Sequence, residues 1–225
     1  QIIIKLAPLG VLGLITKAVA ISGFGLFSAV GKYMLTIAGG LSIHFFIVLP
    51  LLFYFLTGIN PRYHFRAMAS ALATAFATSS SNATLPVTMR CVEENAGVSN
   101  KVSSFVLPMG ATINMDGTAL YECAGVLFIS QVLGIDLSLT SQFTVVITAL
   151  LASIGAAGIP SAGLVMIFIV TQAVGFQDAD VAVIIGTMLA VDRPLDMMRT
   201  MVNIFSDSIG ASVIAHSEGE TLYQD

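Results

Sequence analysis

Five polar side chains near the end of the sequence recur at helical spacing. Asp192, Asp196, Arg199, Asn203 and Asp207 are separated by four, three, four and four residues, which places them within roughly an 80° sector of one helix face. The residues between them are mostly apolar, so a solvated surface stripe is disfavoured. Three carboxylates against one guanidinium leave surplus negative charge, and the stripe is therefore predicted to bind metal cations or an ammonium group.

A second polar group interrupts another apolar stretch at residues 114–118, which read Asn-Met-Asp-Gly-Thr. The glycine loosens the helix, and the carboxylate, the amide and the freed carbonyls supply the oxygen ligands that hard cations prefer. Glu122 lies four residues beyond Thr118, on the same helix face. A buried glutamate can carry a proton, although a structural salt bridge is the alternative explanation.

The composition shows what kind of molecule must position these groups. The 225 residues are 56% hydrophobic and only 10% charged, with 9 basic against 13 acidic residues and a net charge of −4. A soluble domain carries about 25% charged residues, so the chain is predicted to be an integral, multi-pass membrane protein rather than a soluble enzyme. The acidic balance excludes a basic nucleic-acid binder. Two cysteines and three scattered histidines offer no disulfide framework or thiolate metal site.

Two apolar stretches contain a helix breaker at their centre. Residues 137–177 carry no charge, and glycine and proline are concentrated at 153–163, which leaves two arms too short to cross a bilayer. Residues 67–89 have the same form around a serine-rich breaker at 78–86. Both are predicted to be re-entrant hairpins, for which a cavity or surrounding protein must receive the irregular backbone. The alternatives are two spanning helices with an outer loop, and one kinked helix.

The order of segments predicts one unit repeated twice. Residues 1–59 would form two transmembrane helices, the first of them truncated. Residues 60–135 would form hairpin 1 and a broken helix, residues 136–217 hairpin 2 and the final helix, and residues 218–225 a polar tail. Basic residues flank the first hairpin and acidic residues the second, so the two are predicted to enter from opposite faces and meet tip to tip. The expected fold class is an all-α membrane protein with an inverted repeat.

Four of these strings, residues 79–86, 114–122, 152–163 and 192–207, resemble the signature motifs of the glutamate transporter family. These dicarboxylate/amino acid:cation symporters include the excitatory amino acid transporters. The resemblance covers essentially the whole chain but only the C-terminal half or so of a family member. It implies a sodium-coupled carrier of L-glutamate or L-aspartate that works by alternating access, without an enzymatic activity or an organic cofactor.

The resemblance also implies a role for individual positions. Arg199 would grip the substrate's side-chain carboxylate, Asp196 its α-amino group, and Asp192 would orient the arginine. The full set of implied substrate contacts is Ser81, Thr118, Ile159, Gly163, Asp192, Asp196, Arg199, Thr200 and Asn203. One sodium ion would be held by Gly110, Asn114, Asn203 and Asp207, a second by Thr112, Met115, Ser153, Ile154 and Ala156, and a third by Asn114 and Asp116. Glu122 would carry a co-transported proton.

The chain departs from the family pattern at a few positions. The second arginine that family members commonly carry is replaced by Ser79 and Met197, and Arg193 stands one turn before Met197. Asn82 replaces a small residue at the first hairpin tip. These departures bear on ion coupling more than on the substrate class.

Several functional alternatives stay open beside the symporter. A C4-dicarboxylate carrier and a neutral amino acid carrier of the same superfamily are disfavoured by Asp196 and Arg199 respectively. A channel-like anion conductance is a further alternative. A hydrolase using Ser80 or Ser81 would need a base, and neither hairpin core contains a histidine.

The expected surroundings follow from the same resemblance. The full-length protein would be a homotrimer in the lipid bilayer of the plasma membrane, or of the inner membrane in a bacterium. Its partners would be an acidic amino acid and sodium ions, and nucleic acid would not be a partner.

Overall fold

A computed structural model describes residue 16, residues 25–156 and residues 158–223 of the chain. Within these residues every regular element is helical. The prediction of a truncated helix before residue 25 falls almost wholly outside the described residues. Helix α1 (Gly25–Ile43) passes through a π-helical turn (His44–Val48) into α2 (Leu49–Thr57). This continuous stretch contains the segment Val30–Thr57, which is long and apolar enough to cross a bilayer by length and composition.

The first predicted hairpin consists of two helices joined by a two-residue break. Helix α3 (Pro61–Thr78) starts after Asn60, whose side chain accepts from Arg62 N, and α4 (Ser81–Arg90) continues into a π-helical turn (Cys91–Asn95). The break is shorter than the predicted breaker at 78–86. Ser79 ends α3 in a left-handed conformation, and the Ser80 hydroxyl then accepts from Ala83 N at 3.2 Å and restarts the helix.

The helix that was predicted to be interrupted is divided at two residues. Helix α5 (Asn100–Ile113) ends at Asn114, and α6 (Asp116–Val132) starts after Met115. Both intervening residues have non-helical backbone angles, and the Met115 carbonyl accepts from Ala119 N at 2.9 Å as the first hydrogen bond of α6. The break lies inside the predicted interruption at residues 114–118.

The second predicted hairpin has two arms of unequal length. Helix α7 (Leu139–Gly155) has 17 residues and α8 (Ala162–Ala173) has 12. At a rise of about 1.5 Å per residue, α8 is far shorter than the roughly 30 Å of a bilayer core. Ser161 precedes α8 in a left-handed conformation.

The longest helix forms the centre of the molecule. Helix α9 (Asp178–Ser217) runs for 40 residues with Pro194 inside it. It packs most extensively against α1, α3, α5 and α6 and also contacts α2, α4 and α8, whereas α7 packs on α6 and α8. Its predicted polar stripe is buried on all sides by these neighbours, because the five side chains of the stripe are each less than 5% exposed.

The outer surface is apolar, in contrast to the buried polar stripe of α9. Phe55, Leu139 and Phe143 are each at least 70% exposed. A water-soluble protein rarely presents a contiguous apolar surface of this kind. The distribution matches a protein that is surrounded by lipid or by further protein.

The predicted polar tail packs against the rest of the molecule. Glu220 accepts hydrogen bonds from the Ser99 hydroxyl at 2.6 Å and from Ser99 N at 2.8 Å. Tyr223 N donates to Ala96 O at 3.0 Å, and the Tyr223 hydroxyl lies 2.6 Å from His64 Nδ1. Residues 218–223, which we call the C-terminal strap, therefore join the end of α9 to the base of hairpin 1.

Candidate functional site

Arg199 and Asp196 form a buried ion pair in the middle of α9. Arg199 is 3% exposed, and its Nε donates to Asp196 Oδ1 at 2.9 Å while Nη2 donates to the same oxygen. The third donor, Nη1, reaches Thr118 Oγ1 at 2.8 Å. The two residues predicted to hold opposite ends of an acidic amino acid are thus in direct contact with each other.

Thr118 and Asn203 connect the broken helix to α9 beside this pair. Asn203 Nδ2 donates to Thr118 Oγ1 at 3.0 Å, and Asn203 Oδ1 accepts from Gly117 N at 2.9 Å. A Cβ at Gly117 would lie 2.8 Å from the Arg199 carbonyl oxygen. The glycine is therefore required for α6 to approach α9 closely enough for these contacts.

Asp192 is held by residues from two other elements. Its Oδ1 accepts from the Tyr121 hydroxyl at 2.7 Å, and its Oδ2 accepts from the Ser161 hydroxyl at 2.7 Å. The expected role of Asp192 was to orient Arg199, but in this structure the carboxylate that contacts Arg199 is Asp196. Asp192 instead fixes the position of α6 and of the loop before α8.

The tips of the two hairpins touch each other, as the sequence predicted. The Ser80 hydroxyl donates to Gly158 O at 2.6 Å, and Asn82 N lies 3.4 Å from the same oxygen. Ser81 is buried beside this contact. A Cβ at Gly158 would lie 3.1 Å from Asn82 Cγ, so the two tips are in close contact.

The remaining predicted substrate residues differ in their distance from Arg199. A Cβ at Gly163 would lie 3.6 Å from Arg199 Nη1, which places this residue at the site. The Thr200 hydroxyl is buried and donates to the Asp196 carbonyl at 2.9 Å. Ile159 is 52% exposed, and its side chain belongs to the outer surface of the hairpin tip.

The residues predicted to hold one sodium ion converge on Asp207. Asn114 Nδ2 donates to Asp207 Oδ1 at 2.9 Å, and a Cβ at Gly110 would lie 2.6 Å from the same oxygen. Asn203 is one turn away on α9, and its carbonyl accepts from the Ser206 hydroxyl at 3.0 Å. A carboxylate and an amide thus lie together beside backbone carbonyls, and among the described residues no ion pair joins Asp207 to a cationic side chain, so this donor set suits an alkali cation.

Asp116 lies next to this group and extends it. Its Oδ1 accepts from the Ser206 hydroxyl at 2.8 Å, and its Oδ2 is 2.6 Å from His44 Nε2. Ser206 Oγ also accepts from Asn114 Nδ2 at 2.8 Å. The residues predicted for the first and third sodium ions therefore belong to one continuous polar network.

The residues predicted for the second sodium ion lie in two groups, Thr112 with Met115 and Ser153 with Ile154 and Ala156, and Ala156 N donates to Ser153 O at 3.1 Å. Helices α5 and α7, at whose ends the two groups lie, pack together. The Thr112 hydroxyl donates to Met109 O at 2.9 Å, and the buried Ser153 hydroxyl donates to Leu150 O at 2.9 Å. Met115 and Ala156 are buried whereas Ile154 is 43% exposed.

Glu122 is fully buried, and neither of its carboxyl oxygens has a hydrogen-bond partner among the described residues. Arg199 is close enough to act on it electrostatically. Arg193, which stands one turn before Met197 on α9, is exposed at the surface. An ionised carboxylate without hydrogen bonds in an apolar interior costs several kcal/mol, and a bound proton removes that cost.

The sequence reasoning missed four residues of the site: Tyr121, Ser161, His44 and Ser206. Tyr121 lies three residues after Thr118, and Ser206 three residues after Asn203, so helical spacing alone pointed to both. His44 is the one polar interruption between residues 33 and 59 that could ionise near mid-membrane. Ser161 gave no local signal, because its role depends on the packing of hairpin 2 against α9.

Comparison with known proteins identifies relatives of the chain. The sequence model of the sodium:dicarboxylate symporter family matches residues 1–217. The chain is 48% identical over 225 residues to excitatory amino acid transporter 3 of Mus musculus, covering 100% of the chain and 42% of that protein. It is 47% identical to the Homo sapiens protein of the same name, with the same coverage. Excitatory amino acid transporter 1 of Mus musculus is 48% identical over 217 residues, or 96% of the chain and 39% of that relative. The chain thus spans about two fifths of the length of these relatives.

Proposed function

This chain belongs to the sodium:dicarboxylate symporter family, and on that premise we propose that it forms the substrate- and ion-binding part of a sodium-coupled carrier of acidic amino acids. The relatives named above are excitatory amino acid transporters, which supports L-glutamate or L-aspartate as the substrate. The protein that contains this chain acts in the plasma membrane, or in the inner membrane if it is bacterial. We propose no enzymatic activity.

One observation carries the proposal, namely the buried pair of Arg199 and Asp196 at the point where the two hairpin tips meet α9. The substrate has a carboxylate on its side chain and an ammonium group on its Cα. The guanidinium presents a planar fork that suits a carboxylate, and Asp196 suits the ammonium. When the substrate binds, Arg199 would exchange Asp196 for the substrate's carboxylate, and Asp196 would exchange Arg199 for the ammonium group. Both buried charges therefore stay paired.

The charge balance of the interior supports cation coupling. Glu122, Asp192, Asp196 and Asp207 are buried in this region and Asp116 is partly buried, and the buried cation described among them is the guanidinium of Arg199. A substrate with net charge −1 increases the imbalance, and uncompensated buried charge is very costly. Sodium ions are therefore proposed as co-transported substrates. The network of Gly110, Asn114 and Asp207 is the best-formed candidate for holding one.

A proton is proposed as a further co-substrate, and Glu122 is the residue proposed to carry it. The absence of hydrogen-bond partners around its carboxyl group in the described structure supports this assignment. An empty and a loaded carrier differ in the charge next to Arg199, and this difference would change the proton affinity of Glu122.

Alternating access is proposed to use the two hairpins as oppositely placed barriers on either side of the site. The unequal arms of hairpin 2 and the contact between Ser80 and Gly158 support this arrangement. The homotrimer proposed for the full-length protein would depend on parts of the protein beyond this chain.

The test is uptake by the full-length protein reconstituted in lipid vesicles. We expect saturable uptake of labelled L-aspartate that requires an inward sodium gradient and is competed by L-glutamate. Succinate competing more strongly than L-aspartate would instead favour a C4-dicarboxylate carrier, and L-alanine or L-serine doing so would favour a neutral amino acid carrier. Anion current without any substrate accumulation would favour a channel.

A further inference from the structure

Both carboxylate oxygens of Asp196 accept hydrogen bonds from protein donors in this structure. Oδ1 accepts from Arg199, and Oδ2 accepts from the backbone N of Ser161 at 3.0 Å. Asp192 is occupied in the same way, with Tyr121 on one oxygen and the Ser161 hydroxyl on the other. A single residue of the hairpin 2 loop thus places one donor on each of two neighbouring aspartates.

Arg199 and Ser161, the two donors to Asp196, differ in how easily they can move away from it. Arg199 and Asp196 are three residues apart on the same helix, and both are almost fully buried. Ser161 comes from a different element, at the start of the 12-residue helix α8, and its backbone is in the left-handed region with φ of 60°. A non-glycine residue adopts that conformation only when its contacts compensate the strain. The contacts of Ser161 are these two hydrogen bonds, so the loop is the movable partner.

We propose that Ser161 sets the substrate affinity of this carrier, because its N–H group occupies Asp196, which the substrate's ammonium group must reach, while its O–H group ties the same loop to the neighbouring Asp192. This inference rests on the proposed function, in which Asp196 binds that ammonium. Binding then exchanges two neutral donors on the loop for a charged donor on the ligand. Hydrogen bonds from a charged donor are shorter and stronger, so the exchange favours the substrate, but the lost loop contacts subtract from its affinity.

Removing the Ser161 hydroxyl should therefore tighten substrate binding. Ser161→Ala in the full-length protein should lower the apparent dissociation constant for L-aspartate roughly three- to tenfold at fixed sodium concentration. The opposite direction is expected if the serine only stabilises the site, because loosening a structural contact weakens binding. Ser161→Gly also removes the hydroxyl but relieves the strain of the left-handed backbone, so it should tighten binding less than Ser161→Ala does.

The matched control is Ser138→Ala. Ser138 precedes α7 in the same hairpin, where its hydroxyl accepts from Ser141 N at 3.2 Å, and it is remote from both aspartates. We expect this variant to lose some stability and to keep the wild-type dissociation constant. An equal tightening in both variants would attribute the effect to general loosening of hairpin 2 and would overturn the role of Ser161.

A second measurement does not depend on the identity of the substrate. Amide hydrogen exchange of residues 158–164 should be at least threefold faster in Ser161→Ala than in the wild type in sodium buffer without amino acid. Exchange rates that are equal in the two proteins would overturn the inference whether or not L-aspartate is transported. If the wild type binds no acidic amino acid but the exchange rates differ as expected, the proposed function fails while the loop contact stands.

Discussion

At the scale of single residues, the side chain with the sharpest expected effect is Arg199. Arg199→Cys in the full-length protein should abolish uptake of acidic amino acids and leave or create binding of neutral ones. Losing one partner of a buried, charge-assisted pair costs on the order of 2–5 kcal/mol, which corresponds to more than tenfold in affinity. Competition by L-aspartate and by L-serine measures both effects.

Arg193 provides the matched control for that experiment. It lies on the same helix but is exposed, so Arg193→Cys should keep the selectivity of the wild type. Unchanged L-aspartate affinity in Arg199→Cys would mean that another group anchors the side-chain carboxylate.

Glu122 is the second residue for which the structure makes a specific expectation. Glu122→Gln keeps the size of the side chain but cannot exchange a proton, so uptake should no longer acidify the vesicle interior while substrate exchange persists. A pH-sensitive dye recorded together with labelled L-aspartate tests this. Acidification equal to that of the wild type would show that the proton travels by another route.

At the scale of elements, the contact between α5 and α9 depends on the missing side chain of Gly110. A Cβ there would lie 2.6 Å from Asp207 Oδ1 and 2.9 Å from its Cγ, so Gly110→Ala must displace the carboxylate. We expect the sodium concentration for half-maximal uptake to rise at least tenfold. Gly39→Ala on α1, where nothing lies within 4 Å of the added Cβ, should leave it unchanged and slightly stabilise the helix. A normal sodium dependence in Gly110→Ala would remove Asp207 from the proposed sodium site.

The C-terminal strap is the element with a predictable response to pH. The Ser99 hydroxyl and then the Ser99 backbone N–H, as donors to the carboxylate, lower the pKa of Glu220 below its ordinary value of 4.5. A carboxyl group whose pKa is lower in the folded state stabilises that state above the ordinary pKa, and this stabilisation is lost as the pH falls through the lowered value. Because Glu220 is near the surface, the effect should stay below about 1 kcal/mol.

Hydrogen exchange of residues 218–223 measures this effect. The strap should be well protected at neutral pH and lose protection below about pH 4.5, and Glu220→Gln should show the weaker protection at all pH values. Glu218→Gln, two residues earlier and exposed, is the control. A strap whose protection does not change with pH would mean that Tyr223 and Leu222 hold it without Glu220.

The helices were more predictable from the sequence than the contacts between them. The breaks at Asn114 and at the glycine-rich centre of hairpin 2 were readable because proline, glycine and polar residues interrupt long apolar stretches. The start of α4 inside the predicted breaker was not readable from the sequence. The Ser80 hydroxyl caps the helix by accepting from Ala83 N, and the helix then continues through Pro86. The ladder of polar residues on α9 followed from helical periodicity. The pairing of Arg199 with Asp196 did not follow from it, because Asp192 and Asp196, seven and three residues before the arginine, lie on the same helix face.

At the scale of the whole molecule, the residues proposed for sodium and those proposed for the substrate belong to one connected structure. Asn203 lies between Thr118 beside Arg199 and Ser206 beside Asp207. A change at one site is therefore expected to reach the other, and such coupling is reciprocal in binding free energy. Asp207→Asn should weaken apparent sodium affinity and, through it, L-aspartate affinity at low sodium.

Saturating sodium provides the internal control for this prediction. The difference in L-aspartate affinity between Asp207→Asn and the wild type should shrink as sodium is raised. Substrate affinity that is independent of sodium in the wild type would contradict the coupling altogether.

The left-handed serines at the two hairpin tips have a mechanical consequence. Ser79 has φ of 52° and Ser161 has φ of 60°, and each such backbone stores about 1–3 kcal/mol. The contacts of each tip therefore hold its serine in a strained backbone conformation. When a tip separates from its neighbours, the serine relaxes, and the released strain offsets part of the cost of the broken hydrogen bonds. Since each tip has such a serine, the barrier to separating either tip from its neighbours is lowered.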